Sequence, residues 1–384
     1  MFKGPVNHQF FYAVAMLVGM IVGAGTFGLP YVFSQAGFMV GFFYLIILGA
    51  AVMLVHLFYG EIVLRTSQPH RLVGYAAKYL GSGAKKIVTL IILFEYYGAL
   101  LAYLILGGRF LAIIFGRWLD GSEFFWTMVF FLLGAAAIFW RLRRVAVSEF
   151  FMTVLLLLAA TVLLVKGAPL VNFNNFQTLN LSKFFLPYGV ILFALAGSAA
   201  VPEMRQVLAG QERKFKKAIF WGTLIPIILY FLFAAVVVGV TGRLTSEEAI
   251  GGLVPHLGSW VIILGAVFGF LAVFTSFIVL GVAVRKIYQH DYKIKSLISF
   301  LLACFIPLFG YLLGFKNFIL IIGFVGAIVS GLDGILTILI YFKAKKLGDR
   351  RPEYSLAGAK ILGGSLILIF TLGLIYQFVY LSGK

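Results

Sequence analysis

The chain has 384 residues, of which 62% are hydrophobic and only 11% charged, and its mean hydropathy is +1.06; an ordinary soluble domain is roughly 45–50% apolar and about 25% charged. This composition excludes a water-soluble globule and sets the chain among polytopic membrane proteins. The net charge of +18 does not point to a nucleic-acid partner, because the basic residues are spread over short segments between apolar runs rather than gathered in one domain.

A spanning helix needs about 20 mostly apolar residues. By that rule the sequence predicts an all-α fold of eleven transmembrane helices, at about 10–33, 38–64, 85–115, 122–140, 145–166, 184–209, 216–240, 257–287, 295–313, 317–342 and 359–381. The first run is too long for the apolar core of a signal peptide and has no cleavage site, so it is expected to remain as the first helix. With the N-terminus on the cytoplasmic side, 24 of the 31 basic residues fall in inside segments. That bias predicts a cytoplasmic N-terminus, and an odd number of spans then puts the C-terminus outside. The single cysteine, Cys304, lies within a predicted span, which rules out an intrachain disulfide and suggests no metal cluster. No Walker A, GxSxG, HExxH or CxxC pattern occurs, so no enzymatic activity is expected. The five histidines (His8, His56, His70, His256, His290) are scattered and read as interfacial or packing residues, since none pairs with another at ligand spacing.

Two spans carry nearly the same phrase. AGTFGLP runs from Ala24 to Pro30 and AGSAAVP from Ala196 to Pro202, an offset of 172 residues. Glycine and proline weaken a helix, and in lipid a freed backbone group persists only where protein or a water-filled cavity satisfies it. Two broken helices in corresponding halves place a substrate site at the membrane midplane. The same offset carries spans two to five onto spans seven to ten. Because each half holds five spans, an odd number, the second half runs upside down relative to the first. The predicted organisation is an inverted five-plus-five repeat, residues 1–166 and 167–342, followed by a cytoplasmic loop and an eleventh helix in 343–384.

The chemistry expected at the breaks follows from the backbone. Where the first span unwinds at Gly23, Ala24 and Gly25, N–H groups at the start of the outer half suit a carboxylate, and Thr26 adds a hydroxyl donor. Where the sixth unwinds between Ala194 and Ser198, unpaired carbonyls suit an α-ammonium group, with Phe193, Ala194, Ala196, Gly197 and Ser198 as the lining. The competing reading of these small residues is close helix packing, which fits Gly19 and Gly41 equally well. Glu95 in the third span and Asp333 in the tenth lie deep in apolar runs, where an acid is costly unless paired or functional. Either is a candidate for proton coupling or for a structural hydrogen bond to a neighbouring helix. Glu61, Glu149 and Glu203, beside Arg65, Arg144 and Arg205, read as gate or loop salt bridges. Trp118, Trp126, Trp140 and Trp260 lie near span ends, as interfacial anchors do. Thr245 followed by Glu248 forms a capping-box pattern.

The segments MIVGAGTFGLPYVFSQAG (Met20 to Gly37), YYGALLAYLILGG (Tyr96 to Gly108) and YGVILFALAGSAAVPEM (Tyr188 to Met204) resemble the amino acid permeases of the amino acid/polyamine/organocation (APC) superfamily. The chain is most similar to the amino acid/auxin permeases and the bacterial tryptophan/tyrosine permeases. The resemblance implies a LeuT-type fold, in which spans 1, 2, 6 and 7 form a bundle that rocks against spans 3, 4, 8 and 9, and a location in a prokaryotic plasma (inner) membrane. In sodium-coupled members the ion is held by two carbonyls of span 1 and by a carbonyl and two hydroxyls of span 8. The matching positions are Gly19 and Val22, and Ala272, Thr275 and Ser276. Some proton-coupled or uncoupled relatives place a lysine of span 5 at that point; here no basic residue occurs between Val145 and Val165. The fold also sets span 3 beside the substrate, which makes Tyr96, Tyr97 and Tyr103 candidates for contact with it. The segment from Thr245 to Leu257 resembles the short re-entrant helix of the outer vestibule. The expectation is a sodium-coupled symporter for neutral, hydrophobic or aromatic, L-amino acids working by alternating access. The alternatives are a proton-coupled permease using Glu95 or Asp333, and a non-transporting amino acid sensor.

Overall fold

The computed structural model describes residues 8–140, 158 and 160–382, and every described element is helix, turn or loop. The helices are α1 Gln9–Ile21, α2 Gly25–Ala36, α3 Phe38–Arg65, α4 Leu72–Leu80, α5 Ser82–Phe115 and α6 Glu123–Phe139. After these come α7 Ala160–Leu170, α8 Leu186–Ala194, α9 Val201–Val207, α10 Phe215–Thr241, α11 Val254–Leu257 and α12 Ser259–Lys286. The last four are α13 Ser296–Leu312, α14 Phe318–Val325, α15 Gly331–Leu347 and α16 Ala359–Ser382. Among the described residues seven helical stretches are long and apolar enough to cross a membrane, or eight if the bent pair α1–α2 is one span, while α6, α7 and α13 are shorter apolar helices. Most of the predicted fifth span, with Glu149 and Arg144, lies outside the described residues.

Both predicted breaks are present. Between α1 and α2 the chain leaves helical geometry over residues 22–24 and turns by 56°. Between α8 and α9 it does so at Leu195 to Gly197, then makes a single 3₁₀ turn over Ser198–Ala200. The prolines after the two breaks sit at different points of their helices. Pro202 is in the first turn of α9, where its missing N–H would have no partner in any case. Pro30 lies in the middle of α2, where its missing N–H removes one bond from the helix ladder.

The helices pack as two bodies. In one, α1 lies on α10 and α9, α2 lies on α8 and α10, and α3 lies on α10 and α8; in the other, α5 carries α6, α12 and α13. The tenth span joins them, α14 packing on both α8 and α5 and α15 on α3. That span is not one regular helix, because residues Gly326–Ser330 form a turn of π-helix. The π turn lies against α8 with no side chain between: a Cβ on Gly326 would overlap the Gly189 carbonyl oxygen, and one on Gly189 would overlap that of Gly323. Both positions therefore require glycine on grounds of space alone.

The short α4 lies in a segment expected to be loop. Its Leu72, Tyr75, Ala76 and Tyr79 are buried, a one-sided spacing that seats it on α5 and α15. Nine residues are too few for the periodicity to stand out in the sequence.

The end of α3 carries a dense polar cluster. The Glu61 carboxylate, fully buried, accepts from Arg65 at 2.7 Å, the Ser355 hydroxyl at 2.9 Å, the Tyr341 hydroxyl at 3.2 Å and the Leu356 N–H at 2.8 Å. The last carbonyls of α3 are capped from other elements: the Arg205 guanidinium of α9 donates to Val63 and Thr66, the Arg350 guanidinium donates to Leu64, and the Arg350 backbone N–H donates to Arg65. Arginine here satisfies acceptors that the helix itself leaves open and complements the negative pole of its dipole. Asp349 joins the cluster from the exposed side through Lys78 at 2.7 Å and the Ser67 N–H at 2.7 Å, contacts that hold its carboxyl down at about 2. Of the expected acid–base neighbours, Glu61 does pair with Arg65, whereas Glu203 pairs with Arg71 at 3.4 Å rather than with Arg205. Arg205 is turned away to the end of α3.

Glu61→Ala leaves Arg65 and three further donors without their acceptor, and the expected loss of stability is about 3–5 kcal/mol, measured as a fall in the thermal midpoint of the purified protein. Asp349 has a folded pKa below the ordinary carboxylate value of about 3.9, so its stabilising contribution is intact above that value and disappears as the pH falls through about 2. The thermal midpoints of the parent and of Asp349→Asn should differ at neutral pH and converge in strong acid.

Candidate functional site

The two breaks meet. A Cβ added to Gly25, at the start of α2, would lie 2.5 Å from the Ala194 Cα at the end of α8. One added to Gly197 would lie 2.5 Å from Ile21 at the end of α1. Among the described residues, the N–H groups of Gly23, Ala24 and Gly25 have no backbone carbonyl partner; the first bond after the break is from Thr26 N–H to the Gly23 carbonyl at 3.1 Å. On the facing strand of chain the carbonyls of Leu195 and Ala196 receive no backbone N–H. The Ala24 and Gly25 N–H groups on one break thus lack a backbone acceptor beside carbonyls that lack a backbone donor on the other, the Gly23 N–H is directed at the Tyr230 hydroxyl, and nothing lies within 4 Å of where a Gly23 Cβ would be. Thr26 is 4% exposed and its hydroxyl has no hydrogen-bond partner of good geometry, although Tyr230 lies beside it.

Tyr230 of α10 is a site residue that the sequence pattern does not single out. It is fully buried, and its hydroxyl lies 2.6 Å from the Ile21 carbonyl and 2.9 Å from the Ala194 carbonyl, touching both breaks at once. A lone hydroxyl in the middle of the IPIILYFLF run is the available signal, but a tyrosine in an apolar helix reads equally well as packing.

The two intramembrane acids, expected as separate candidates, line one cavity. It has a volume of about 30 Å³ and lies between α3, α5, the α8–α9 break and the tenth span, with Glu95, Asp333, Ser198, Ser330 and His56 around it. That is room for a water or two and not for an amino acid. The Ser198 hydroxyl donates to Asp333 at 3.1 Å, joining the break of the sixth span to the helix that follows the π turn. Neither acid forms an ion pair among the described residues. The Ser330 hydroxyl, at the last position of the π turn, is buried without a partner. His56, which reads from sequence as a packing residue, is 1% exposed, bonds the Thr223 hydroxyl of α10 through Nδ1 at 3.0 Å, and borders this cavity.

The tyrosines of α5 separate. The Tyr97 hydroxyl donates toward Tyr288 at 3.0 Å and the Leu302 carbonyl at 3.2 Å, on the α12–α13 side, and so is engaged away from the breaks. Tyr96 lies in the electrostatic neighbourhood of Glu95 and Asp333, and Tyr103 in that of Tyr230. Phe193, at the end of α8, is half-buried beside the π turn: a Cβ on Gly326 would lie 2.6 Å from its N–H nitrogen.

The five residues expected around a sodium ion fall on the two bodies. Gly19 and Val22 belong to α1 and its break, which pack on α9 and α10; Ala272, Thr275 and Ser276 belong to α12, which packs on α5, α6 and α13. The Thr275 hydroxyl donates to the Ala272 carbonyl at 3.0 Å, so these two oxygens are engaged with each other. The set is all neutral oxygen, which suits a hard monovalent cation.

At the opposite end from the α3 cluster, Arg109 of α5 joins Glu123 at 3.1 Å and Glu247 at 2.6 Å, tying the segment from Thr245 to Leu257 to the second body. That segment does contain a short helix, α11, but its cap differs from the expected one. Gly251 N–H bonds to Glu248 and Gly252 N–H to Ser246, while the Thr245 hydroxyl turns back to the Gly242 carbonyl.

Two interrupted helices crossing at their breaks, held between two packed bodies and offering open donors opposite open acceptors, define an integral membrane transporter of the LeuT-type fold and not an enzyme. The crystal structure of MhsT in complex with L-phenylalanine superposes on this chain with a TM-score of 0.64, covering 97% of this chain and 98% of that one at 15% identity. The chain belongs to the tryptophan/tyrosine permease family, whose model matches residues 6–379. It is similar to glutamine transporter 2 of Aliivibrio fischeri, 22% identical over 96% of this chain and 97% of the relative. It is also similar to the tyrosine-specific transport system 1 of Haemophilus influenzae, 24% identical over 93% of this chain and 92% of the relative.

Gly23 and Gly25 separate a ligand role from a packing role. Gly25→Ala drives a methyl group into Ala194 and should lower the thermal midpoint, at a cost of about 1–3 kcal/mol. Gly23→Ala meets nothing in the protein and should leave the midpoint unchanged while weakening amino acid binding at least tenfold, as measured by calorimetry. Unchanged affinity in Gly23→Ala removes Gly23 from the site.

Proposed function

We propose that this protein is a secondary active symporter that carries neutral L-amino acids with hydrophobic or aromatic side chains by alternating access. The observation that carries the reading is the crossing of the two breaks at Gly25 and Ala194, with N–H groups on one and carbonyls on the other that have no backbone partner. A zwitterion matches that pattern: its carboxylate suits the N–H groups of Gly23, Ala24 and Gly25 at the positive end of α2, and its ammonium group suits the carbonyls of Leu195 and Ala196. Phe193 and the small residues Ala194, Ala196 and Gly197 leave room for an apolar side chain. The tyrosine-specific and phenylalanine-bound relatives favour the same substrate class. In this reading the halves 1–166 and 167–342 are inverted repeats, and the helical elements support it. Shifted by 172 residues, α3, α5 and α6 fall on α10, α12 and α13, and the first break falls on the second to within a residue. The end of α3 with Glu61 is then the cytoplasmic face, and the body formed by α1–α3 and α8–α10 is the part that rocks.

Sodium drives the cycle in the primary reading, held by Gly19, Val22, Ala272, Thr275 and Ser276. A proton-coupled cycle is favoured by a separate observation, the shared cavity of Glu95 and Asp333 and the bond from Ser198 to Asp333. Two carboxylates facing one small cavity inside a membrane, without a cationic side chain, require a proton or another positive charge between them.

One experiment distinguishes these cycles. Thermal stabilisation of the purified protein is measured against each of the twenty amino acids, in sodium or choline chloride and at two pH values. Binding to the folded state raises the midpoint by mass action, about 2.7 kcal/mol at a hundred times Kd. Stabilisation by a few neutral amino acids is the expected result. A sodium requirement abolished in Thr275→Val and Ser276→Ala supports the sodium cycle. Sodium-independent, pH-dependent stabilisation abolished in Asp333→Asn supports the proton cycle. Stabilisation by none of the twenty overturns the amino acid assignment.

A further inference from the structure

The groups around the acid cavity divide by chemistry between the two bodies. The acceptors are Glu95 of α5, in the second body, and Asp333 of α15, in the span that joins the bodies. Two donors come from the first body: the Ser198 hydroxyl, beside the second break, bonds Asp333 at 3.1 Å, and His56 of α3 borders the same cavity. Which ring nitrogen of His56 carries the proton follows from its partner. The Thr223 hydroxyl is fully buried, and its one acceptor among the described residues is His56 Nδ1, 3.0 Å away. An unspent buried hydroxyl proton is costly, so Nδ1 accepts and Nε2 carries the proton, as a donor left for the cavity. Among the described residues no side chain bonds Nε2 or the Glu95 carboxylate, and the Ser330 hydroxyl in the lining is also unpartnered. The cavity of about 30 Å³ admits a water, and a water bridge is nearly as favourable as a direct bond.

We propose that this cavity is a proton-controlled latch between the two bodies, with His56 as its positioning residue. Ser198 directly, and His56 Nε2–H through a water, hold the first body to the acid pair while Asp333 keeps its charge. A proton taken from solvent onto the Asp333 carboxylate removes that charge and releases the hold. A hydrogen bond to an ionised acceptor is roughly twice as strong as one to a neutral acceptor, and a protonated carboxyl turns one acceptor oxygen into a donor facing other donors. The inference rests on the proton-coupled reading above and supplies its linkage. A proton shifts a conformational equilibrium only if the two states bind it differently, and here proton and donors compete for the same oxygens. The lining contains no other titratable group. Around it, Tyr59 of α3 and Tyr96 of α5 lie in the electrostatic neighbourhood of the acids, and Tyr75 of α4 lies against Tyr59. Farther out, Arg71 pairs with Glu203 of α9, and Lys78 of α4 is engaged by Asp349.

Spin labels attached through Lys86→Cys in the first turn of α5 and Lys217→Cys in that of α10, both exposed, report the separation of the bodies by pulsed electron resonance. The native Cys304 is buried and stays in place. In the parent the fraction of separated molecules should rise about tenfold from about pH 8 to about pH 5. Asp333→Asn should show the acid distribution at both pH values. His56→Gln places an amide donor near the position of Nε2 and should behave as the parent. His56→Asn reaches Thr223 but not the cavity, and should part the bodies already at the higher pH. The reverse order of the two variants makes His56 a packing partner of Thr223 and overturns its positioning role. Loss of the pH response in both overturns the assignment of the proton to the carboxylate. A parent distribution indifferent to pH, or a response that survives in Asp333→Asn, overturns the latch. Uptake into proteoliposomes of a neutral amino acid that stabilises the protein, driven by a pH gradient without sodium, tests the proton cycle itself. A pH-dependent distance without such uptake overturns that cycle and leaves the latch standing.

Discussion

In lipid a backbone N–H or C=O has no water to turn to, so every interruption of a helix must be answered from within the protein. This fold interrupts two of its helices at the same depth and sets the interruptions against each other. The donors opened at Gly23 to Gly25 and the acceptors opened at Leu195 and Ala196 are brought together and yet left unpaired with one another. Gly25 rests on the backbone of Ala194 and Gly197 rests on Ile21, so the two breaks touch closely at these glycines. In the proposed function that lack of mutual pairing matters, because a pair of breaks that satisfied each other would have nothing to offer a ligand.

The same constraint organises the ends of the helices. Arginines that would count in the sequence only as topological charge are carbonyl caps: Arg205 and Arg350 close α3, and Arg285 of α12 donates to Ile138 and Phe139 at the end of α6. Each cap comes from a different helix or loop, so it fixes a helix end and joins two elements at once. Arg205 is the most consequential of them. It sits on α9, the half-helix beyond the second break, and binds that half to α3 independently of α8.

Much of this is legible in the sequence because glycine, proline and apolar run length act locally. The paired AGxxxxP phrases locate both breaks to within a residue or two, and the depth of Glu95 and Asp333 in their apolar runs is enough to mark both acids as candidates. The rest depends on which helix faces which. That Glu95 and Asp333 share one cavity, that Ser198 reaches Asp333, and that Glu203 chooses Arg71 over its near neighbour Arg205 are properties of packing between segments more than a hundred residues apart. Tyr230 is hidden for a related reason: a hydroxyl in an apolar helix has no signature unless two carbonyls converge on it in space. The π turn at Gly326–Ser330 leaves none either, since one extra residue per turn does not disturb the hydropathy of the run.

The contact between Gly189 and the turn at Gly323 to Gly326 is backbone on backbone, with no side chain to compress. Such a joint resists sliding and indentation but not rotation, and in mechanical terms it is a fulcrum. Gly189 lies five residues before the end of α8, a lever arm of about 7–8 Å at 1.5 Å per residue. In the proposed alternating-access cycle, a tilt of α8 about this contact would swing Ala194 the opposite way, and the π turn of the tenth span would share the pivot. Methyl groups at this joint would do more than crowd it, because in that cycle they would displace the pivot itself.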